Sequence, residues 1–356
     1  GIEICGIATT GDLNIVTNNG TIFQDLDAAV IVGGDASFDT GSGDLCLTGG
    51  DCTGDGVNDN LFTGTLTIVT TGDVVIAEND DISIDSVAGG GSFRFIGNNI
   101  QINTAIVGNQ LLLEASDGVD YNGNTIDVQD LILVGNGRFD FGNTGEIAIS
   151  IDNLAADIDG ALNINSDSAI NIADLTFVSD CGDVSVCGVN IDADAGSGEA
   201  GDFDLIIANA DLTQTASIAV EGTATMDVGT GDICLTGGDC TGDLLNDNDF
   251  NIVIASGSTI EIVDINDLTA GDITAVNDIF LRAGDTALFN GTLTLNGSLT
   301  TTNFAGQVLL QSDTEIAQGA GSVIATNDGN LTASGLALIV DGNTVLTNAS
   351  NDVDAL

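Results

Sequence analysis

The chain has no proline, no lysine, no histidine and no tryptophan, and it has one tyrosine. Without histidine, a Ser–His or Cys–His nucleophilic pair cannot be built. Lyases of acidic sugars need cationic groups, and here three arginines are the only basic side chains. Without proline, the turns must rely on Gly, Asn and Asp. These absences argue against the common hydrolase and lyase active sites.

Positive charge is almost missing, whereas negative charge is abundant. The chain carries 54 acidic residues, of which 46 are Asp, and its formal net charge is −51. Such a charge repels nucleic acid and anionic membranes, so neither is expected as a partner. Asp favours tight turns and Glu favours helices, so the excess of Asp predicts a turn-rich protein. Self-repulsion leads us to expect that bound cations or salt stabilise the fold.

Long apolar runs are also missing, although 43% of the 356 residues are hydrophobic. No run approaches the roughly 20 apolar residues that a membrane-spanning helix needs. We therefore expect a folded chain without a transmembrane segment. With so few sites for trypsin-like proteases, the composition suits an extracellular or cell-surface location.

Short stretches of alternating apolar and polar residues run through the whole chain. Most last four to seven residues and end at Gly, Asn or Asp, which predicts half-buried strands joined by turns. Clear examples are 12–16, 65–68, 81–84, 92–96, 99–102, 146–151, 162–164 and 259–262. A sandwich or a closed barrel would also space its strands in this way.

A long internal repeat favours a different all-β architecture. Residues 43–55 read GDLCLTGGDCTGD and residues 231–243 read GDICLTGGDCTGD, 188 positions later; Gln24 corresponds to Gln214. We predict a parallel β-solenoid, a single continuous domain over 1–356, with one long repeat at 1–182 and a second, incomplete one at 183–356. At roughly 20 residues and about 4.8 Å per coil, this gives a rod on the order of 80 Å long.

A Gly-Asp pair recurs before the predicted strands, as if one corner shape were reused. The pairs stand at 11–12, 43–44, 72–73, 201–202, 231–232 and 271–272. Segments such as Gly11–Ile15 and 329–332 resemble the coils of filamentous-haemagglutinin-type adhesins and autotransporter passengers. That resemblance implies a right-handed parallel β-helix acting as an extracellular stalk, adhesin or toxin carrier.

The predicted solenoid shows no polar capping segment at either terminus, and solenoids normally need caps. The chain is therefore expected either to be cut from a longer array or to be capped by neighbouring subunits. The second alternative predicts self-association by end-to-end stacking.

Six of the seven cysteines form three pairs at a spacing of six residues. We predict disulfides within these pairs, which fits an oxidising compartment; a zinc site is the alternative, although zinc ligands are usually closer and include His. The pairs are Cys46 with Cys52, Cys181 with Cys187, and Cys234 with Cys240. Cys5 is left over and is a candidate for an intermolecular bond.

Two acidic segments have the alternating oxygen ligands of a calcium loop. The first offers Asp51, Asp55, Asn58 and Asp59, followed by Asn60; the second offers Asp239, Asp243 and Asp247, followed by Asn248 and Asp249. A helix-flanked calcium loop is excluded, because Phe62 stands at the position of the bidentate Glu. A looser oxygen-rich calcium site remains as an expectation beside plain acidic turns.

Five Asn-x-Ser/Thr sequences are candidate glycosylation sites: Asn19, Asn290, Asn296, Asn330 and Asn348. No pair of carboxylates is marked out for glycosidase chemistry. The sequence predicts a non-catalytic extracellular structural protein, a subunit of a surface fibre, filament, sheath or layer that requires no cofactor. The alternatives are the stalk of a large secreted adhesin and, last, a glycan-active β-helix.

Overall fold

A computed structural model of the chain describes residues 1–25, 27–49, 60–142, 148–179, 183–196, 198–237, 248–284, 290–303, 305–326, 335–346, 348 and 350–351. These residues form strands and turns and contain no helix, so the prediction of an all-β protein is confirmed. In this part of the chain there is accordingly no helix long and apolar enough to cross a membrane.

The chain divides into two units. Unit 1 comprises residues 1–159 and 175–186, and unit 2 comprises residues 160–174 and 187–356. Residues 175–186 therefore belong to unit 1 although unit 2 supplies the chain on both sides of them. The sequence repeat, whose predicted boundary follows residue 182, does not predict that residues 175–186 belong to unit 1.

The strands of unit 1 are short at first and longer towards residue 141. They are β1 (Ile2–Ile4), β2 (Ile7–Thr9), β3 (Leu13–Val16), β4 (Ile22–Gln24), β5 (Val30–Val32), β6 (Ala36–Gly41), β7 (Leu45–Leu47), β8 (Leu61–Phe62), β9 (Leu66–Thr70), β10 (Val74–Ala77), β11 (Ile82–Ala88), β12 (Phe93–Ile102), β13 (Ile106–Tyr121) and β14 (Ile126–Phe141). Strand β15 (Ser150–Ser166) begins in unit 1 and ends in unit 2.

A small two-stranded sheet and the strands of unit 2 complete the fold. The small sheet joins β17 (Asp174–Phe177) and β18 (Val184–Cys187). Unit 2 contains β16 (Ile170–Ile172), β19 (Val189–Asp192), β20 (Phe203–Ile207), β21 (Leu212–Gln214), β22 (Ile218–Asp227), β23 (Ile233–Leu235), β24 (Asp249–Gly257), β25 (Ile260–Asp264), β26 (Leu268–Ala275), β27 (Ile279–Ala283), β28 (Thr292–Leu295), β29 (Leu299–Thr301), β30 (Gln307–Ser312), β31 (Glu315–Gln318), β32 (Ile324–Thr326), β33 (Gly335–Val340) and β34 (Asn343–Val345).

The strands pair in parallel with strands one to five places further along the chain, most often two or three. In unit 1, Ile2 lies opposite Ile22, and Ile22 lies opposite Leu45. In unit 2, Leu162 lies opposite Phe203. Parallel pairing of this kind requires the chain to travel round and return to the same edge.

Parallel registers stack equivalent apolar residues into buried ladders. One ladder of unit 1 consists of Ile22, Leu45, Val74, Phe93, Leu111 and Leu131. One ladder of unit 2 consists of Ile170, Leu212, Ile233, Ile260, Ile279, Val308 and Leu336. Burial of each such aliphatic side chain contributes about 1.5–3 kcal/mol, which makes the ladders the main source of stability.

Several strands are longer than the four to seven residues predicted. Strands β13 and β14 have 16 residues each because glycines bend the backbone while the register of the pairing stays the same on both sides of the bend. Gly135, for example, has a φ of +130°, where a Cβ would collide with the carbonyl of Ala115. Alternating sequence patterns cannot show such a bend, since the apolar spacing continues through it.

Candidate functional site: corner aspartates and buried amide–carboxylate clusters

The recurring Gly-Asp pair forms what we call a clasp, a hydrogen bond from the backbone of one strand layer, or rung, to the Asp carboxylate of the rung before it. The Asp12 carboxylate accepts a hydrogen bond from the Asp35 N–H at 3.1 Å, and the Leu13 N–H donates to the Asp35 carbonyl at 2.9 Å. Asp35 occupies the same place on the next rung as Asp12 on its own. Asp is long enough to reach one rung spacing, about 4.8 Å. This geometry accounts for an Asp at the corner.

The six Gly-Asp pairs named above, which precede predicted strands, all use this clasp. The five others join Asp44 to Asp73, Asp73 to Ser92, Asp202 to Thr223, Asp232 to Thr259, and Asp272 to Ser298, at 2.7–3.0 Å. The same bond also occurs at Asp35, Asp81, Asp211, Asp267 and Asp278. Much of the negative charge therefore has a structural use.

Asp73 offers a test of the clasp, because its N–H donates to one carboxylate and its own carboxylate accepts from the next rung. Replacing Asp73 by Ala should cost about 1 kcal/mol of unfolding free energy, whereas Asn keeps the acceptor and removes a repelling charge. We expect Asp73→Asn to be neutral or stabilising. Asp127→Ala, at an exposed strand position, is the matched control. Equal losses for Asp73→Asn and Asp73→Ala in denaturant titrations would contradict the clasp.

A reciprocal amide pair lies inside unit 1, next to the first acidic segment. Gln24 Nε2 donates to Asn60 Oδ1 at 2.6 Å, and Asn60 Nδ2 donates to Gln24 Oε1 at 3.0 Å. Asn60 Oδ1 also accepts from the Val30 N–H, and its Nδ2 donates to the carbonyls of Gly49 and Ala77. Asn60 is fully buried, so each of these polar groups depends on the others.

The same pair recurs in unit 2. Gln214 Nε2 donates to Asn248 Oδ1 at 2.8 Å, and Asn248 Nδ2 donates back to Gln214 Oε1 at 2.9 Å. Asn248 Oδ1 accepts from the Ile218 N–H, and Nδ2 donates to the Val263 carbonyl. The correspondence of Gln24 and Gln214 in the sequence repeat thus marks one structural element.

A third pair, Gln318 with Asn351, has the same two bonds at 2.7 and 3.0 Å. Here Asn351 Oδ1 accepts from the Ile324 N–H, in the place of Val30 and Ile218. The sequence repeat of 188 residues does not predict this copy. The described residues thus contain three such amide pairs, whereas the long sequence repeat has two copies.

A buried carboxyl group completes the first cluster. Glu78 follows β10, is 5% exposed, and accepts a hydrogen bond from the Phe62 N–H through Oε1 at 2.8 Å. Its Oε2 is buried without a hydrogen-bond partner in the part of the chain that the structure describes. Burial raises the pKa of Glu78 to about 8; the Phe62 N–H acts in the opposite direction, and the Asp80 and Asp81 carboxylates raise the pKa further.

Asp264 takes the equivalent place in unit 2. It is fully buried at the end of β25, where Oδ2 accepts from the Phe250 N–H at 2.7 Å and Oδ1 from the Asn266 N–H at 2.8 Å. Burial raises the pKa of Asp264 to about 7, the two N–H donors lower it, and the Asp249 and Asp267 carboxylates raise it. Sequence reasoning missed both groups; the signal was an acid placed directly after an apolar run.

The predicted calcium ligands lie almost entirely outside the described residues. This holds for Asp51, Asp55, Asn58, Asp59, Asp239, Asp243 and Asp247. Asn60 and Asn248, which the sequence associates with the same segments, are instead buried members of the amide pairs. The side-chain oxygens of both residues accept protein N–H groups, so these two residues serve the amide pairs.

Cys46 and Cys187 are disulfide-bonded, and their predicted partners Cys52 and Cys181 lie outside the described residues. Cys234 corrects the prediction, because it carries a free, exposed thiol on β23, 3.8 Å from Thr236 Oγ1; its predicted partner Cys240 also lies outside. The outward-facing thiol of Cys234 therefore differs from its repeat counterpart Cys46.

Cys5 is likewise free and exposed, and its thiol lies within 4.8 Å of carboxylate oxygens of Glu3 and Asp25. All three side chains face solvent; Glu3 and Cys5 lie at the first rung of unit 1, and Asp25 follows β4 on the next one. The thiol is accessible, as an intermolecular bond would require, but its pairing stays a prediction.

The candidate glycosylation sites differ in their surroundings. Asn290 and Asn296 are exposed at turns. Asn19 is exposed too, but it has a φ of +61° and its Oδ1 accepts from the Ser42 N–H. Asn348 donates through Nδ2 to the Ser322 carbonyl, and Asn330 lies outside the described residues.

One groove in unit 2 has acidic walls and a volume of about 380 Å³. Asp192, Glu221, Asp249 and Asn251 line it, together with Ala219 and Val220. The Glu221 carboxylate accepts from the Ala193 N–H at 2.9 Å, and Asn251 donates to the Glu221 carbonyl. These bonds assign Glu221 a part in fixing the backbone of the groove.

Arg94 and Arg138 form ion pairs with acidic side chains. Arg94 Nε lies 2.6 Å from Glu114 Oε1, and Arg138 Nη2 lies 3.3 Å from Asp140 Oδ2.

Comparisons with protein-family models, with curated proteins and with solved structures found no match to this chain. The likeness to extracellular adhesins therefore rests on composition and periodicity.

Proposed function

We propose that this chain is a parallel β-solenoid and a non-catalytic structural protein of the cell exterior. In this proposal it is a subunit of a fibre, filament, sheath or layer, assembled by end-to-end stacking of copies. The observation that carries the proposal is the stack of in-register parallel ladders, in which each rung is covered by the next. Disulfide-bonded Cys46 and Cys187 support an oxidising location.

Support for stacking comes from strands that pair on one side only among the described residues. In unit 1, β1, β2 and β3 pair with β4, β5 and β6, and no strand of the described residues pairs with their other edge. Ile2 is 38% exposed, whereas its neighbour in the ladder, Ile22, is fully buried. In unit 2, β33 and β34 pair only with β30 and β31, and Ile339 on β33 is 52% exposed.

Open strand edges bind further strands unless they are blocked. The edge of β1–β3 in one copy and that of β33–β34 in the next would each supply the missing N–H and C=O partners. The half-exposed side chain of Ile2 would then be buried as that of Ile22 is, and the exposed Ile339 would gain a neighbour on the added strand. Both edges belong to parallel sheets, so the junction would continue the pairing already present in each unit.

The test is to remove edge N–H groups without touching the internal pairing. The Ile7 N–H donates inward to the Ala29 carbonyl and the Leu13 N–H to the Asp35 carbonyl, so the next N–H groups, at Ala8 and Asn14, face the open edge. We expect the unaltered protein to form unbranched filaments in electron micrographs, and the Ala8→Pro, Asn14→Pro double variant to sediment as a monomer with unchanged circular dichroism.

The matched control carries serine at both positions and should still form filaments. Monomeric rods from the unaltered protein at high concentration would reject stacking and favour the alternative, the stalk of a large secreted adhesin. The third alternative, a glycan-active β-helix, would require turnover of neutral glycans and two carboxylates about 5–9.5 Å apart, with the acidic groove of unit 2 as the place to look.

Calcium is proposed as a stabiliser rather than a required cofactor. Asn60 Nδ2 donates to the Gly49 carbonyl at 3.2 Å, which holds the residues on either side of the first acidic segment together. Asn248 Nδ2 donates in the same way to the Leu235 carbonyl at 3.4 Å. The acidic segments themselves supply carboxylate and amide oxygens, which are the ligands that calcium prefers.

A further inference from the structure

We propose that Glu78 and Asp264 are proton-controlled latches, one in each unit. Each carboxyl group holds the backbone closed at the strand that follows a buried amide pair, and loss of its proton opens the backbone locally. The opening would occur at Asn60–Phe62 in unit 1 and at Asn248–Phe250 in unit 2.

The first step of the argument is geometric. Glu78 and Asp264 each receive the N–H of the second residue after the buried asparagine, that of Phe62 or Phe250. In each cluster, the asparagine also donates to the carbonyl of the residue just before the carboxyl group, Ala77 or Val263. The carboxyl group and the asparagine thus connect two neighbouring stretches of backbone, and the same set of contacts occurs in both units.

The second step concerns charge. The groups that stabilise the ionised form of either carboxyl are backbone N–H donors, whereas the charged groups that act on it are other carboxylates. For Glu78 these are Asp80 and Asp81; its neighbouring strands carry Cys46, which is disulfide-bonded, and Arg94, which pairs with Glu114. A buried carboxylate without a cation is costly, so the neutral acid is the form that fits.

Asp264 has acidic neighbours as well. Asp249 on β24 and Asp267 beyond β25 raise its pKa, and the adjacent strands carry the Cys234 thiol and Arg282. With folded-state pKa values of about 8 and about 7, both groups exchange protons near neutrality.

The sign of the effect follows from proton binding. The folded state holds these protons at pH values where a solvent-exposed carboxyl has lost them. Stability from each latch is therefore complete below about pH 4 and is lost as the pH rises to about 7 for Asp264 or about 8 for Glu78. Within that window the opening equilibrium constant grows up to about tenfold per pH unit.

The third step is that a weak element lies beside each latch. Strand β8 has two residues and pairs only with β5 in the described part of the chain, through Leu61 with Ile31 and Phe62 with Val32. Phe250 lies at the start of β24, where it pairs with Val220. Short, terminal pairings open at low cost, so they are the elements that ionisation would release.

Hydrogen exchange of the Phe62 and Phe250 amides tests the proposal directly. After correction for base catalysis, we expect the protection of Phe62 to fall up to about tenfold per pH unit between about pH 5 and 8. Glu78→Gln keeps the acceptor for Phe62 and places its NH2 at the position of Oε2, for which the described residues provide no hydrogen-bond partner. In this variant the protection of Phe62 should become independent of pH, while that of Phe250 keeps its slope.

Glu3→Gln, which removes an exposed charge from the same unit, is the control and should change neither slope. The proposal would be overturned if the protection of Phe62 in the unaltered protein did not depend on pH, or if its pH dependence were the same in Glu78→Gln. If Glu78→Gln does not fold, the carbon-13 shift of the Glu78 and Asp264 carboxyls in the unaltered protein decides. Titration midpoints near 7 or above support the latches, and midpoints near 4 reject them.

Discussion

Replacing Asn60 by alanine is expected to destabilise unit 1 by about 3–5 kcal/mol. The substitution leaves the Gln24 amide, the Val30 N–H and the Ala77 carbonyl without the partner they share. These groups are buried, and each unsatisfied buried group costs about 1–3 kcal/mol. Denaturant unfolding followed by circular dichroism measures the loss, and Asn248→Ala should behave similarly in unit 2.

Asn14→Ala, at an exposed position of β3, is the matched control and should change the unfolding free energy by less than about 0.5 kcal/mol. The double variant Gln24→Ala, Asn60→Ala should lose less than the sum of the single variants, because each removes a group that the other leaves unpaired. Strict additivity, or a loss below about 1 kcal/mol for Asn60→Ala, would mean that the amide pair is not a unit.

Salt is expected to stabilise the protein over the whole range from about 10 mM to about 1 M, as the Debye length falls from about 30 to about 3 Å. Two carboxylates one rung apart, at about 5 Å, repel each other by about 0.8 kcal/mol even in bulk water. With a net charge of −51, many such pairs occur, and the compact state suffers more than the unfolded one. The midpoint of thermal unfolding should therefore rise steadily with sodium chloride.

The calcium proposal is tested in the same experiment at constant ionic strength. General screening predicts equal unfolding midpoints in sodium chloride and in calcium chloride. A bound calcium ion predicts an additional rise that saturates on the order of 0.1–1 mM and is reversed by a chelator. A midpoint that falls with added salt would contradict the repulsion argument altogether.

The sequence is informative about the parts of the fold that repeat locally. Alternating residues such as those of 92–96 and 259–262 fall on β12 and β25, and the recurrent Gly-Asp pair does mark one corner used again and again. Both signals are short-range: a strand period is visible in five residues, and a corner in two. Because both signals repeat, they can be recognised from the sequence alone.

The buried clusters could not be found in this way. Asn60 stands in a run of acidic and polar residues, and its partner Gln24 is 36 positions away. Only the fold shows that Asn60 turns inwards while the residues before it belong to the acidic segment. Glu78 is similar: it directly follows an apolar run, but an acid at the end of a strand can equally be an exposed turn residue, so the local sequence does not separate the two. Cys234 shows the reverse error, since repetition of a sequence does not guarantee repetition of a bond.

The corner clasp fixes where a rung begins but not how much chain lies between one clasp and the next. The bonded residues are 18 positions apart for Asp81 and Asn99 and 30 apart for Asp35 and Thr65. Segments of unequal length can therefore be joined by one kind of clasp, so new loops can be acquired one at a time without disturbing the turns already in place. Variation in loop length and constancy of the corner are thus compatible in a single chain.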